Sequence, residues 1–296
     1  MNMTLHTLLL ASLIPALAAA APATQRCVMD DLQREVCVGA PAQRIVSLSP
    51  GATELLFDAG AGERVVGAVS FSDYPAAAND IPRVGSYNRL DLETLLTLRP
   101  DLVIAWRSGN PREQVDQLVR LGIPVYHTEP RSFADITSTL YRLARLAGTE
   151  QIGDAAASTF ADAVQTLRQR YQDAAPVTLF YQIWNDPLMT VNDTHFISEA
   201  MHLCGGVNVF GELPRLTPTL DIEAVLAANP QAIVAGGMGE DDRGWVEGWR
   251  RYPDLRAVKN AHLFFIPPST LQRPTVRLLT GTRTLCTQLQ AVRDAD

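Results

Sequence analysis

Leu90-Asp91-Leu92-Glu93 opens a stretch that runs through apolar residues to Pro100 and then into Leu102-Val103-Ile104-Ala105. The same layout returns in the second half of the chain. Leu220-Asp221-Ile222-Glu223 leads to Pro230 and then to Ala232-Ile233-Val234-Ala235, with Glu and Pro seven residues apart both times. Each copy reads as a short helix with an Asp N-cap and a Glu in its first turn, closed by Pro and followed by a buried strand. A repeat of this kind predicts two α/β lobes of similar build, each with one acidic helix tip. Two lobes imply a cleft, and two matched carboxylates imply a partner with two matched cationic sites.

Working outward from the first copy, Ile45-Val46-Ser47-Leu48 reads as a buried strand before Ser49-Pro50-Gly51 and a helix from Thr53 to Ala59. Val65 to Val69, Leu102 to Trp106 and Val125 to His127 supply further strands. Helices are expected at Glu113 to Leu121 and, capped by Ser132, as far as Leu146. Strands alternating with helices predict a parallel sheet covered on both faces. The second half repeats this grammar. Strands are expected at Val177 to Ile183, Ala232 to Ala235 and Leu263 to Ile266. Helices are expected at Ser198 to Leu203, Glu223 to Ala228, Trp245 to Arg251 and Arg273 to Val292.

Between the halves, Thr149 to Tyr171 contains no Pro and a single Gly, and Ile152, Ala156, Phe160, Val164, Leu167 and Tyr171 fall at helical spacing. This predicts one long connecting helix; an ordinary helix of one lobe is the alternative. The expected organisation is a leader over 1–20, an N-terminal hairpin over 21–43, a first lobe over 44–148, a connecting helix over 149–173 and a second lobe over 174–296.

Met1 to Ala20 carries no Lys, Arg, Asp or Glu, is rich in Leu, and ends in Ala18-Ala19-Ala20-Ala21. That is the pattern of a cleavable secretory leader, although its first residues lack the usual positive charge. Export to an oxidising compartment is expected, with no lipid anchor at Cys27. An even number of cysteines in an oxidising compartment favours pairing, four reduced thiols being the alternative. A hairpin turning near Asp30-Asp31 sets Cys27 opposite Cys37 and leaves Cys204 and Cys286 for a longer closure. The net charge of −7 argues against nucleic acid as a partner.

Enzyme signatures are missing from the sequence. It contains no Gly-x-Ser-x-Gly elbow, no phosphate-binding Gly-rich loop and no His-Glu-x-x-His. Gly236-Gly237-Met238-Gly239 is followed at once by Glu240-Asp241-Asp242, which would repel a phosphate, so it reads as a loop. His127, His195, His202 and His262 are scattered, and no metal site is expected. Aromatic residues near strand ends are more informative: Phe71, Tyr74, Tyr87, Trp106 and Trp184. Ligands of parallel α/β sheets sit beyond the carboxyl ends of the strands, and apolar rings there suit a large, flat ligand. Each ring alone is equally compatible with core or rim packing. Glu93 and Glu223 alone are explained by the helix dipole, which accounts less well for their shared register.

Several motifs resemble those of periplasmic binding proteins of the helical-spine class, which serve ABC importers of cobalamin, haem and ferric siderophores. They are Ser49-Pro50-Gly51-Ala52-Thr53-Glu54-Leu55, Ser72-Asp73-Tyr74-Pro75, Arg99 to Trp106, Gln114-Val115-Asp116-Gln117-Leu118 and Cys204-Gly205-Gly206-Val207-Asn208-Val209-Phe210. The resemblance covers the chain from about Arg44 onward and is strongest to the cobalamin-binding members. It implies two parallel-sheet α/β lobes joined by one long helix, a rather rigid cleft, and no catalysis. It also implies a Cys204–Cys286 bridge, and docking of Glu93 and Glu223 onto arginines of a membrane-embedded permease dimer.

The ligand set that the resemblance implies is Phe71, Tyr87, Trp106, Met189, Thr217, Ser269 and Arg273. Trp106 and Arg273 match the family pattern. Phe71 stands for Tyr, Tyr87 for Trp, Met189 for Phe, Thr217 for a large aromatic and Ser269 for Asp. Trp184 has no family counterpart and is added as compensation. The expected ligand is cobalamin or a related corrinoid, carried as cargo rather than as a cofactor, by a monomer. A haem or ferric-siderophore carrier of the same class is the alternative. An exported enzyme or metal chelatase on the same fold, and a signalling receptor module, are further alternatives.

Overall fold

The computed structural model describes residues 25–295, so the expected leader lies outside the described residues. The chain begins with an antiparallel hairpin, β1 (Arg26–Met29) and β2 (Glu35–Val38), in which Cys27 stands opposite Cys37 and is bonded to it. β3 (Ile45–Ser47), α1 (Pro50–Asp58) and β4 (Val65–Ala68) follow. A small hairpin, β5 (Gly85–Ser86) and β6 (Arg89–Leu90), leads into α2 (Leu92–Thr97) and β7 (Leu102–Trp106). Next come α3 (Arg112–Arg120), β8 (Val125–Thr128) and α4 (Phe133–Ala147). α5 (Glu150–Tyr171) then joins the lobes.

The second half contains β9 (Val177–Gln182), α6 (Phe196–Leu203), β10 (Gly206–Asn208), α7 (Ile222–Ala228) and β11 (Ala232–Ala235). It closes with α8 (Gly244–Glu247), α9 (Arg256–Lys259), β12 (Leu263–Phe265), α10 (Pro268–Leu271) and α11 (Leu278–Ala295). Cys204 is bonded to Cys286, tying the end of α6 to α11.

Each lobe is built on a four-stranded parallel sheet, ordered β4-β3-β7-β8 in the first and β10-β9-β11-β12 in the second. Taking strands in chain order within each lobe, both sheets read second, first, third, fourth. The sequence repeat is therefore a repeat of topology, and α2 and α7 are equivalent crossovers into the third strand. Asp91 accepts from the Thr94 N–H at 3.0 Å and Asp221 from the Ala224 N–H at 2.9 Å, so each crossover starts on the Asp cap that its sequence provides.

Alternate residues of the strands divide between two layers, as the pleat requires. Ile45, Leu102, Ile104 and Tyr126 of the first lobe join Leu179, Tyr181, Ala232 and Val234 of the second in one apolar cluster that runs through α4, α5 and α11. Val46, Val103, Ala105 and Val125 face the outer cluster of the first lobe, while Phe180, Ile233 and Ala235 face that of the second. A core shared by both lobes resists their separation, because opening them would expose apolar surface.

Three expectations need correction. α5 buries Gly153, Ala157, Phe160, Val164, Leu167 and Tyr171, whereas Ile152 is 57% exposed. The first turns of α5 close tightly on α4: a Cβ at Gly153 would lie 2.3 Å from the Ala144 Cβ, so the small residues, not Ile152, mark the contact. The last long helix begins at Leu278 rather than Arg273: Pro274 biases Arg273 away from helix, and turns closed by Thr275 N–H to the Arg273 carbonyl and Leu278 N–H to the Thr275 carbonyl occupy the residues between. Finally, β10 follows Cys204-Gly205; a three-residue edge strand is too short to show a period.

Candidate functional site

The switch in strand order places the open end of each sheet at the carboxyl ends of its first and third strands. In the first lobe these are β3, followed by Ser49, and β7, which ends in Trp106. Ser49 caps α1 by accepting from the Ala52 N–H at 3.1 Å. Asn110, almost fully buried, fastens this edge. Its side-chain oxygen accepts from the Trp106 N–H at 2.6 Å, and its amide donates to the Leu48 and Tyr87 carbonyls, both at 2.8 Å. The Tyr87 and Trp106 rings consequently stand 5.7 Å apart at a tilt of 51°. Gly109 makes room for the indole, since a Cβ there would lie 1.9 Å from Trp106 Cε3. Phe71, beyond β4, sits in the left-handed region at φ 65° and is 70% exposed.

Across from these, Trp184 follows β9 and is also exposed. Its Nε1 donates to the Asp186 carbonyl at 3.0 Å, and its ring meets Trp245 edge to face at 5.5 Å. Met189 bridges Trp184 on one side and Thr219 on the other. Thr217 is half-buried on the loop before α7 and makes none of these contacts. Ser269 is buried; its hydroxyl donates to Glu240 at 2.7 Å and accepts from Arg277 at 2.8 Å.

The two edges meet through Arg273. One guanidinium nitrogen donates to Glu54 at 2.8 Å and to Asp73 at 3.1 Å, and the other donates to the Phe71 carbonyl at 3.3 Å. Glu54, on α1, is 1% exposed and accepts also from Thr275 at 2.7 Å and Arg277 at 3.3 Å. Arg277 in turn lies 4.1 Å from the Tyr74 ring centroid. The turn that replaces the first part of the expected last helix thus clamps the lobes on a buried carboxylate. Three of the five N–H groups of Arg273 are engaged, which leaves part of its fork for a polar ligand edge. One turn along α1, burial and the Glu54 charge push the Asp58 carboxyl up to about 6.

Of the residues expected from sequence, the fold brings Tyr87 to Trp106, Phe71 to Arg273, and Met189 to Trp184. Sequence reasoning missed Glu54, Asn110, Trp245 and Arg277 as site residues. Glu54 had a signal, being the one charged residue in the run Pro50 to Phe57. Asn110 had none, because Leu48 and Tyr87 reach it only once β3 and the small hairpin lie beside β7.

The histidines hold local structure. His195 accepts from the Ile197 N–H as the cap of α6, His127 lies between Asp30 and Arg34, His202 faces Asp193, and His262 meets the Gln231 carbonyl. Among the described residues, Cys27, Glu35 and Cys37 are the group close enough to share an ion, and both sulfurs are committed to the disulfide.

Glu93 and Glu223 are exposed. A crossover helix runs antiparallel to its strands, so its N-terminal turn lies at the end of the sheet where the strands finish. Both carboxylates therefore stand on the side of the molecule that carries the aromatic rings.

Two matched α/β sheets that present rings at their strand ends and share one core are the build of a two-lobed binding protein. The sequence pattern described as periplasmic binding protein matches residues 45–270, and the chain belongs to that family. It is 34% identical over 250 residues to a vitamin B12-binding protein of Vibrio cholerae, covering 84% of this chain and 90% of that protein. To the vitamin B12-binding protein of Yersinia pestis it is 33% identical over 261 residues, covering 85% and 88%. The crystal structure of the periplasmic vitamin B12 binding protein BtuF of Vibrio cholerae matches with a TM-score of 0.79, covering 86% of this chain and 98% of that one. The periplasmic heme-binding protein RhuT from Roseiflexus sp. RS-1 matches with a TM-score of 0.76 at 24% identity, covering 86% of this chain and 100% of that one, a likeness of fold alone. The hairpin over Arg26–Val38 lies outside the matched family pattern.

Proposed function

We propose that this chain is a periplasmic carrier of cobalamin or a related corrinoid for an ABC importer. What supports this reading is the pair of aromatic contacts beyond the strand ends, Tyr87 with Trp106 after β7 and Trp184 with Trp245 after β9, in a fold whose relatives at over 30% identity are named for vitamin B12. The corrin lies between these edges, with Phe71, Met189, Thr217 and Ser269 around it and the free part of the Arg273 fork on a polar amide of its rim. Rings supply area and dispersion, and few polar groups fix orientation. Cobalamin is cargo, so the site binds and releases without chemistry, and the chain is not an enzyme.

Residues 1–20 act as the export leader, and the mature chain works in the periplasm as a monomer, divided at 44–148, 149–173 and 174–296. Glu93 and Glu223 meet arginines on a two-fold permease dimer. As rim charges they set orientation and association rate more than affinity. Isothermal titration of the mature chain against cyanocobalamin, cobinamide, haemin and a ferric siderophore tests the reading. Tight binding of the two corrinoids with a red complex is expected. Tight binding of haemin with no corrinoid binding would replace cobalamin by haem and leave the carrier role in place.

A further inference from the structure

Setting Glu93 on Glu223 aligns Leu92 with Ile222, Leu95 with Val225 and Leu96 with Leu226. Leu95 and Val225 are both 0% exposed and hold their helices against the sheets. Leu96 and Leu226 do not: each keeps 37% of its surface exposed. A single exposed leucine needs no explanation. Here the same residue recurs at the same register with the same exposure, while the neighbouring pairs Leu92/Ile222 and Thr94/Ala224 have diverged. The helices also end alike, with Arg99 at φ 47° and Asn229 at φ 42°, each directly before a Pro. A spacing of three puts each leucine on the same helix face as its glutamate.

We propose that Leu96 and Leu226 are paired apolar contacts for the permease dimer, each entering an apolar hollow beside the cation that receives Glu93 or Glu223. The inference rests on the docking reading above and adds what holds the complex once charge has steered it together. Matched knobs on two lobes of one topology call for a partner with a two-fold repeat. A second copy of this chain is disfavoured, because the face carries matched carboxylates and the chain is acidic overall at −7. Charges at a rim act on association rate and salt dependence, whereas desolvated apolar contacts act on dissociation. Since the two contacts engage together, loss of both should exceed twice the loss of one on a logarithmic scale.

The test measures docking of the full mature chain on the cobalamin permease dimer in nanodiscs, over a range of salt. It compares Leu96→Ser with Leu226→Ser against Glu93→Gln with Glu223→Gln. Cyanocobalamin titration of each variant confirms an intact fold, and Leu96→Ala with Leu226→Ala replaces the serine pair if that control fails. The leucine pair should dissociate at least about tenfold faster with an unchanged salt slope; the glutamate pair should associate more slowly with a flatter slope. An unchanged dissociation rate in the leucine pair beside a slowed glutamate pair would overturn this inference and leave the docking reading standing. No effect from either pair would overturn both. A leucine-dependent self-association in sedimentation, with docking unchanged, would assign the leucines to a second copy and also overturn it.

Discussion

The two lobes share a strand order and a crossover helix but present different walls to the cleft. In the first, a buried Asn110 ties the ends of β3 and β7 to Tyr87. In the second, the corresponding loops carry the Trp184–Trp245 pair and the Met189 bridge. The repeat has been kept where it serves the frame and the outward-facing helices, and lost where the lobes face each other. A strand order is fixed by crossover packing, which tolerates little change. Loops beyond the strand ends carry no such constraint and are free to differ between the lobes.

Stability offers the strongest way to break this comparison. The second lobe is closed by a bond between residues 82 apart, the hairpin beside the first lobe by one between residues 10 apart. Loop-closure entropy assigns roughly 4.5 kcal/mol to the former and roughly 2.7 kcal/mol to the latter. Chemical denaturation of Cys204→Ser with Cys286→Ser should therefore show a larger loss than Cys27→Ser with Cys37→Ser. The reverse order would mean that the hairpin, which lies outside the family pattern, matters more to the frame than the second lobe does.

The clamp comes next. Glu54→Gln removes the charge that Arg273 and Arg277 share across the lobes, where Glu54 is 1% exposed. Breaking such a pair costs about 3 kcal/mol. A change below about 1 kcal/mol would show that the shared apolar core alone holds the lobes together.

For the ligand, Trp106→Ala and Trp184→Ala should each weaken cyanocobalamin binding at least tenfold, about 1.4 kcal/mol, by titration calorimetry. If only the first does so, the second lobe contributes shape without stacking and the two walls are unequal in energy as well as in sequence.

The last effects concern pH, and they oppose one another. His195 caps α6 as a neutral ring, and burial, assisted by Arg131, lowers it to about 3. Between about 3 and its ordinary 6.5 the unfolded chain binds the extra proton. This contribution to stability is thus present above about 6.5 and lost as pH falls. Asp58 in the first lobe is raised to about 6 from 3.8, so its contribution is present below 3.8 and lost as pH rises through about 6. In melting experiments, His195→Asn should reduce the loss of Tm between pH 7.5 and pH 5. Asp58→Asn should raise Tm at pH 7.5 more than at pH 5. Parallel shifts at both pH values would remove titration as the cause.

Much of the frame was legible in the residues. Asp91, Asp221 and Ser132 cap helices through bonds to their own near neighbours, so a few adjacent positions suffice to foresee them. The strands of both sheets apart from the short edge strand β10, the repeat and the length of α5 were likewise written in periodicity and punctuation. Which side of α5 lies inward was less so, because Gly153 and Ala157 gain their meaning from the closeness of α4.

By itself the sequence determined the two lobes, their acidic crossover helices, the long connector and the hairpin that brings Cys27 to Cys37. These depend on local geometry: a period, a cap or a turn. Tertiary structure alone decided that Glu54 meets Arg273 and Arg277, that Asn110 gathers Leu48 and Tyr87, and that Trp184 stands against Trp245. Those contacts join residues far apart in the chain through the order of the strands and the facing of the lobes. No window of sequence contains that order, because it arises when separate apolar faces are buried against one another.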